Sequence, residues 1–543
     1  MYSFDRLHYS IRGSYHVWDK KDKETLKLAV IHGHGQDIFN GTLSIGYGKG
    51  AKFGFTPREI SVKSERGEQN ITLFGTDGTF IKGKGEGPLV EIANTHAKFD
   101  YQVVQNGVLE LCDFKNNCSM MFVPIKGTLK IEKTRLPGQI ASEAVSVRVY
   151  ADENGEYEFS IESDFLDKGA TGARGMRYDY YADMAERDYL AWEKKFNCKN
   201  KYDKEIAYIM WSNVISANGN FVTDAIVMSK SGMSNVWSWD NAFNALGLAD
   251  VDYRLAMNQF TIMYKHINRV GRVPDAISEG YKVWNFVKPP VQGWMYKQMI
   301  KRNPEFATPH ALEEVYFDMK RNTDWWLNLR GDVPSYYHGN DSGQDNSTCF
   351  DKSEHIETGE LIAFLSVQCQ FLSEAAEVLN YPTDKKTYAR LASELAERAI
   401  KDYWDGEKIF VRLSETGEKY YCRALMPLRI IVLEDMLPKE IQEYIVKTIK
   451  EHHLCKGGIA SEALDSPWFQ ENGYWRGAVW APDAIMFVYA LRNLGYNDLA
   501  DEIASNYKTS ISKYGFSENT SAITGKQLRC KCYSWAANAY WVL

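Results

Sequence analysis

This chain of 543 residues has no excess of positive charge, no regular cysteine pairing and no obvious targeting segment. Its 64 Lys and Arg against 71 Asp and Glu leave a net charge of −7. That is the wrong sign for gripping a phosphate backbone, so no nucleic-acid partner is expected. The nine Cys are odd in number and scattered, with only Cys530-Lys531-Cys532 close together. A disulfide framework is therefore not expected, and the free thiols suit a reducing cytoplasm, the expected location. Met1-Tyr2-Ser3-Phe4-Asp5-Arg6 carries no basic segment leading into an apolar one, so no signal peptide is expected. No apolar run approaches the length of a membrane span, and no membrane partner is expected either. Aromatic residues, in contrast, are plentiful at 13%, with 15 Trp and 33 Tyr. Such rings supply flat apolar surfaces for a ligand, and large cores use them as well.

The length calls for more than one core, or for one large helical barrel that absorbs most of the chain. Residues 1–165 read as sheet. Short alternating runs such as Leu26-Lys27-Leu28-Ala29-Val30-Ile31, Ile60-Ser61-Val62 and Val145-Ser146-Val147-Arg148-Val149-Tyr150 are punctuated by turn dipeptides. Asp77-Gly78 and Asn154-Gly155 each predict a hairpin, because both supply a positive φ readily. Many short strands of this kind imply an antiparallel β-sandwich. His32-Gly33-His34-Gly35 is weak evidence for a metal, since no Cys or carboxylate partner stands near it in sequence, and a structural turn is the expectation.

Residues 166–177 are rich in Asp, Lys, Gly and Arg and read as a linker. From 178 to 543 the period turns helical. Ala185, Tyr189, Trp192 and Phe196 line one face, as do Tyr388, Leu391, Ala392, Leu395 and Ala399. About twelve helices are predicted, including 239–249, 355–379, 424–434 and 476–493. Three long stretches, 271–308, 331–353 and 452–475, read as loops rich in Gly, Pro, Trp and Asp, and long loops in compact domains tend to carry function.

Five polar and aromatic stretches stand out. Asp341-Ser342-Gly343-Gln344-Asp345-Asn346-Ser347-Thr348 follows two aromatic pairs, Trp325-Trp326 and Tyr336-Tyr337. A carboxyl group walled by rings holds its proton near neutral pH and suits sugar chemistry, whereas a lone Asp-Asn-Ser-Thr equally suits a helix cap. Trp239-Asp240 offers a stacking ring and an acceptor for hydroxyls, or a cap beside core tryptophans. Lys288-Pro289-Pro290-Val291-Gln292-Gly293-Trp294 holds Gln292 and Trp294 rigidly, toward a site or merely as a stiff connection. Trp475-Arg476 could hold a sugar or a structural ion pair. Glu518, with Trp535 beyond it, is a second loop carboxylate, and surface exposure is the commonest fate of a Glu. Two carboxylates in an aromatic cleft suit glycoside hydrolysis, one as acid and the other as base or nucleophile.

Four of these motifs stand in an order that resembles glycoside hydrolase family 63 and its trehalase-like relatives in family 37. They are Trp239-Asp240 with Phe243 and Gly247, then Ser342-Gly343-Gln344-Asp345-Asn346-Ser347, Tyr474-Trp475-Arg476-Gly477-Ala478-Val479-Trp480, and Glu518-Asn519 with Thr524-Gly525. The resemblance covers residues 178–543 and implies an (α/α)6 toroid after the β-sandwich. It implies Asp345 as general acid and Glu518 as general base. Trp239, Asp240, Gln292, Trp294, Gly343, Trp475, Arg476 and Trp535 are the expected sugar-binding residues. No cofactor is implied, although some relatives carry a structural calcium ion. Gln344 departs from the pattern, which usually has an apolar or aromatic residue there; Asp341 stands in place of Glu, and Ala478 in place of Pro.

The expected function is that of an inverting, exo-acting α-glycosidase of the α-glucosidase kind, with a small oligosaccharide or glucoside as partner. A disaccharide phosphorylase on a related toroid, which needs no general base, and a sugar-binding protein without turnover are the rival readings. Oligomeric state is not legible in the sequence.

Overall fold

The computed structural model describes residues 1–32, 43–93, 101–113, 118–134, 137–138, 144–165 and 177–543. His34 and the linker, apart from Arg177, lie outside them. By its internal packing the chain divides into two compact units. The first comprises Met1–Asn235, Ser278–Tyr281 and Cys530–Ser534; the second comprises Val236–Ile277, Lys282–Arg529 and Trp535–Leu543.

The first unit holds two large antiparallel sheets. One has six strands, ordered His16–Lys20, Thr25–Val30, Leu43–Gly46, Leu89–Ala93, Ala144–Tyr150 and Thr128–Thr134. The other has eight, ordered Lys52–Phe55, Ile60–Ser64, Gly67–Phe74, Gly78–Gly85, Glu156–Phe165, Cys118–Lys126, Val108–Asp113 and Tyr101–Gln105. Alternation puts Leu26, Leu28 and Val30 of one sheet, and Ile71, Leu73 and Ile161 of the other, into the core. His16 crosses from the first sheet to Thr79 and Ser163 of the second, at 2.9 and 2.8 Å. The hairpin expected at Asp77-Gly78 forms, with Phe74 opposite Gly78. The one expected at Asn154-Gly155 does not: the strands on either side of that turn belong to different sheets, so it carries the chain between layers.

Two helices, α1 (Tyr178–Phe196) and α2 (Lys201–Ser212), also belong to the first unit. The stripe Ala185, Tyr189, Trp192 and Phe196 is buried as its spacing requires, and Tyr178 with Ala182 packs on Phe74 and Phe80.

The second unit is helical. Its helices are α3 (Asp240–Leu248), α4 (Tyr253–Thr261), α5 (Gln292–Arg302), α6 (Pro309–Asn328), α7 (Gly359–Val378), α8 (Pro382–Tyr403), α9 (Lys439–Thr448), α10 (Ala481–Asn493), α11 (Asn497–Tyr514) and α12, which starts at Ser534 and ends at Val542. The stretch expected as a helix at 424–434 is a 3-10 helix, Met426–Met436, with Pro427 in its first turn and Glu434 out of helical geometry. Helix α5 lies inside the stretch 271–308 that reads as loop. Its start is masked by Pro289-Pro290 and Gly293, residues that end helices more often than they begin them.

Amphipathicity separates two layers. α4, α6, α8, α9 and α11 bury one stripe, whereas all of α3 and nearly all of α7 and α10 is buried. The buried segments neighbour one another in series: α3 on α5, α5 on α7, α7 on Met426–Met436, and that segment on α10. Tyr489 of α10 reaches the Val542 carbonyl, and Asn538 of α12 donates to Asn244 of α3 at 2.6 Å, which closes the series into a ring. Gly293 is required where α5 meets α7, because a Cβ there would lie 2.4 Å from the Gln368 Cα. Contrary to the sequence reading, one helix, α7, is long and apolar enough to cross a membrane, but it is mostly buried inside this ring as a core helix.

Candidate active site

The ends of the inner helices and the connections between them bring four carboxylates together. Asp240 is the first residue of α3, directly after Trp239. Asp275 precedes the short strand Ala276–Ile277, which pairs with Val236–Trp237. Asp345 follows the turn through Gly343. Glu518 sits on a strand, Ser517–Thr520, rather than in the expected loop, and this strand pairs with Val479–Trp480. Asp240, Asp275 and Glu518 are buried; the Asp345 side chain is 36% exposed and is the open member of the set.

Lys288 stands among three of them. Its Nζ lies 3.1 Å from Asp275, 3.8 Å from Asp345 and 2.7 Å from the Asn340 carbonyl. Burial pushes Asp240 up to about 8; Lys288 opposes this, while Asp275 and Asp345 add to it. Burial raises Asp275 and Asp345 too, again against Lys288, and His338 and the Tyr474 phenol also favour the Asp345 carboxylate. The Tyr474 phenol is itself pushed up, by burial and then by the charges of Asp345, Glu518 and Asp240, so both carboxylates expected to be catalytic act on it.

Indoles surround this group. Trp239 lies 6.2 Å from Trp475 and 6.5 Å from Trp535; Trp475 stacks on Trp480 at 3.9 Å. Trp535 donates its indole N–H to the Glu518 carbonyl at 2.8 Å. Gly343 adopts a left-handed φ of 72°, and a Cβ there would stand 2.4 Å from the Trp239 indole, so only glycine lets this loop lie on that ring. The aromatic pairs preceding the loop do something else: Tyr337, Trp325 and Trp326 wrap the Arg330 guanidinium, at 3.6, 5.6 and 5.6 Å. Arg330 in turn holds Asp341, which also accepts from the Val287 and Tyr337 amides at 3.0 and 2.9 Å.

Gln344 finds its reason beneath the loop. Its amide donates to Asp483 at 3.1 Å, the carboxylate that pairs with buried Arg429 at 2.7 Å, and Arg429 faces the Trp239 and Trp475 rings. An apolar residue could not make that bond. Arg476 is committed to Asp351 and to the Asn346 carbonyl, so it pins the acid loop. Asn346 ties the same two loops, donating to the Gly473 carbonyl at 3.0 Å and accepting from the Trp475 amide at 2.9 Å. Ser347 caps the 3-10 turn Thr348–Phe350. The Gln292 amide donates to the Ser238 carbonyl at 3.0 Å, beside Trp239. Trp294 is buried against Tyr489 of α10, at 6.2 Å.

Lys288, Asp275, Tyr474 and Trp480 also belong to this cluster, beyond the site residues that the sequence predicts. A lysine in the apolar run Val287-Lys288-Pro289-Pro290-Val291 was the available signal, since a buried ammonium must find anions. Among the described residues, no group of three or more His, Cys, Asp or Glu is arranged to hold a metal ion.

Known proteins share this fold. A glucosylglycerate hydrolase of Mycolicibacterium hassiacum is 21% identical, with 56% of this chain and 90% of that protein covered. Two other curated relatives, 30% and 32% identical, match over only 16% of their own length. Among solved structures, the family 63 mannosylglycerate hydrolase of Thermus thermophilus, in complex with glucose, superposes with a TM-score of 0.53 at 17% identity, covering 62% of this chain and 99% of that one. A bacterial glucoamylase complexed with acarbose superposes over 99% of this chain and 92% of its own, with a TM-score of 0.66 at 12% identity. The fold is thus antiparallel sheets followed by an (α/α)6 toroid. Residues 233–536 match the family model described as the mannosylglycerate hydrolase MGH1-like glycoside hydrolase domain. With more than half its length in that match, and with the carboxylates and indoles of the ring inside it, the chain belongs to the MGH1-like glycoside hydrolase family.

Proposed function

We propose that this chain is an inverting, exo-acting α-glycosidase that removes one glucosyl or mannosyl unit from a small partner such as a hydroxy acid or a second sugar. The observation that carries the reading is the placement of Asp345. Its carboxyl group is raised by burial yet reachable, and its charge and that of Glu518 both act on the Tyr474 phenol among the indoles. Asp345 gives its proton to the glycosidic oxygen as the bond to the anomeric carbon breaks. Glu518 takes a proton from the water that attacks the opposite face, so the configuration inverts, a geometry that calls for carboxyl groups about 6.5–9.5 Å apart. Trp239, Trp475 and Trp535 cover the apolar faces of the ring. Asp240, with a pKa pushed up to about 8, is largely protonated at neutral pH and can donate to a sugar hydroxyl as well as accept from one.

The glucosylglycerate and mannosylglycerate named for the relatives, together with trehalose, are the substrates to offer first. Proton NMR during turnover should show the β-anomer released first, in buffer without phosphate; the α-anomer first, or a strict need for phosphate, would remove the reading. Asp345→Asn should lower kcat on these glycosides by about 10²–10⁴-fold. Unchanged turnover in that variant would take Asp345 out of the chemistry.

A further inference from the structure

The acid must end its step as an anion, and the site is already crowded with carboxylates. The charge of Asp345 acts on Asp275 and Asp240, and both Asp345 and Glu518 act on the Tyr474 phenol. Against these stand Lys288, His338 and the Tyr474 hydroxyl. Lys288 is the one buried cation of the group, its side chain 5% exposed. Its ammonium donates to the Asn340 carbonyl at 2.7 Å and the Asn340 side-chain oxygen at 3.2 Å and pairs with the Asp275 carboxylate at 3.1 Å, so its position is fixed from three directions. Asn340 lies in the short turn Gly339–Ser342 that leads into Asp345. Pro289 and Pro290 follow Lys288 directly and stiffen the chain between it and α5. The charge therefore reaches Asp345 at 3.8 Å, near enough to stabilise an anion and too far for a strong hydrogen bond.

We propose that Lys288 is a positioning residue for the general acid: it anchors the turn that carries Asp345 and stabilises the carboxylate left when the proton moves to the glycosidic oxygen. The proposal rests on the reading of Asp345 as the acid. In that step the Asp345 O–H bond breaks, its hydrogen forms a bond to the glycosidic oxygen, and the electron pair of the broken C–O bond stays on that departing oxygen. The negative charge that appears on Asp345 then faces a cation that was already in place, which is stabilisation realised in the transition state and absent from the neutral acid.

Lys288→Met and Lys288→Arg in the full chain test this, read in two ways. The first needs no substrate: the carbodiimide modification of Asp345, followed by peptide mass spectrometry from pH 4 to 9, reports the fraction of its carboxyl that is protonated. Without the ammonium the midpoint should rise by about one pH unit, a tenfold change in the acid-to-carboxylate ratio; Lys288→Arg should restore it. The second compares leaving groups on the sugar the native enzyme hydrolyses. The methionine variant should lose at least tenfold more kcat with the methyl glycoside, which needs a proton, than with the 2,4-dinitrophenyl glycoside, which does not. An unmoved midpoint, or equal losses on both glycosides, overturns the proposal. Asp345→Asn separates the two readings: if it too fails to discriminate between the leaving groups, Asp345 is not the acid; if it discriminates and Lys288→Met does not, only the role of Lys288 falls.

Discussion

Gln344 shows how one residue can look out of place in a sequence and be required in the fold. Its amide reaches Asp483, the partner of buried Arg429, and that ion pair lies under the indoles of Trp239 and Trp475. Removing a donor from a buried charged acceptor costs about 1–3 kcal/mol. Gln344→Leu should therefore lower the stability of the chain by that amount in urea denaturation, although leucine is close in size and the more ordinary residue in the resembled pattern. Asp345 could be singled out from the sequence because its neighbours along the chain and the order of the other motifs carried the information. Lys288 carries only a faint local signal, a lysine inside an apolar run, and Asp275 carries none, since the partners of both lie on other segments.

Two loops and one helix show the same division at the scale of elements. Asn346 joins the 342–348 turn to the segment 473–475 through two hydrogen bonds, and Arg476 returns the tie through Asp351 and the Asn346 carbonyl. Asn346→Ala removes both side-chain bonds, each worth about 0.5–1.5 kcal/mol. Amide hydrogen exchange in 473–477 should accelerate by about tenfold or more, while exchange in α8, which takes no part in the tie, stays unchanged. Helix α5 was hidden by its own start, where two prolines and a glycine read as loop. The glycine is there for packing: a methyl group at 293 would enter the backbone of α7 at Gln368. Overpacking of this kind costs about 1–3 kcal/mol. Gly293→Ala, normally favourable inside a helix, should instead lower the thermal midpoint, and a rise would mean that α5 and α7 stand further apart.

Across the whole molecule, chain segments far apart in sequence are held by ionic contacts that pH can address. In the first unit the buried imidazole of His32 lies 2.8 Å from Glu279 and 2.7 Å from Asp77. Burial disfavours its protonation, but the two carboxylates outweigh that and push it up to about 9. A pKa raised above the ordinary value near 6.5 means stabilisation that is complete below about pH 6.5 and is lost as pH rises through 9. At about 1.4 kcal/mol per unit the contribution is about 3 kcal/mol. The thermal midpoint should fall between pH 7 and 9.5, and His32→Gln should be less stable at pH 7 with a flatter dependence on pH. A parallel fall in both proteins would assign the effect to other groups.

Period and composition were enough to establish a sheet-forming first third and a helical remainder, because alternation and the 3.6-residue stripe follow from burying one face of a strand or helix. Motif order singles out Asp345 and Glu518 as the proposed acid and base, since each stands in a run of polar and aromatic residues of the resembled kind. Tertiary structure alone decided that Asn154-Gly155 passes between sheets, that α1 and α2 pack with the first unit, and that Trp294 faces Tyr489 of α10. It alone placed Lys288 among the carboxylates, 13 residues from Asp275 and 57 from Asp345 in sequence. The physical reason is range: periodicity records what each segment does with its own two faces, whereas the protonation of a buried acid depends on charges delivered by other segments, and the closed ring of helices determines which segments those are.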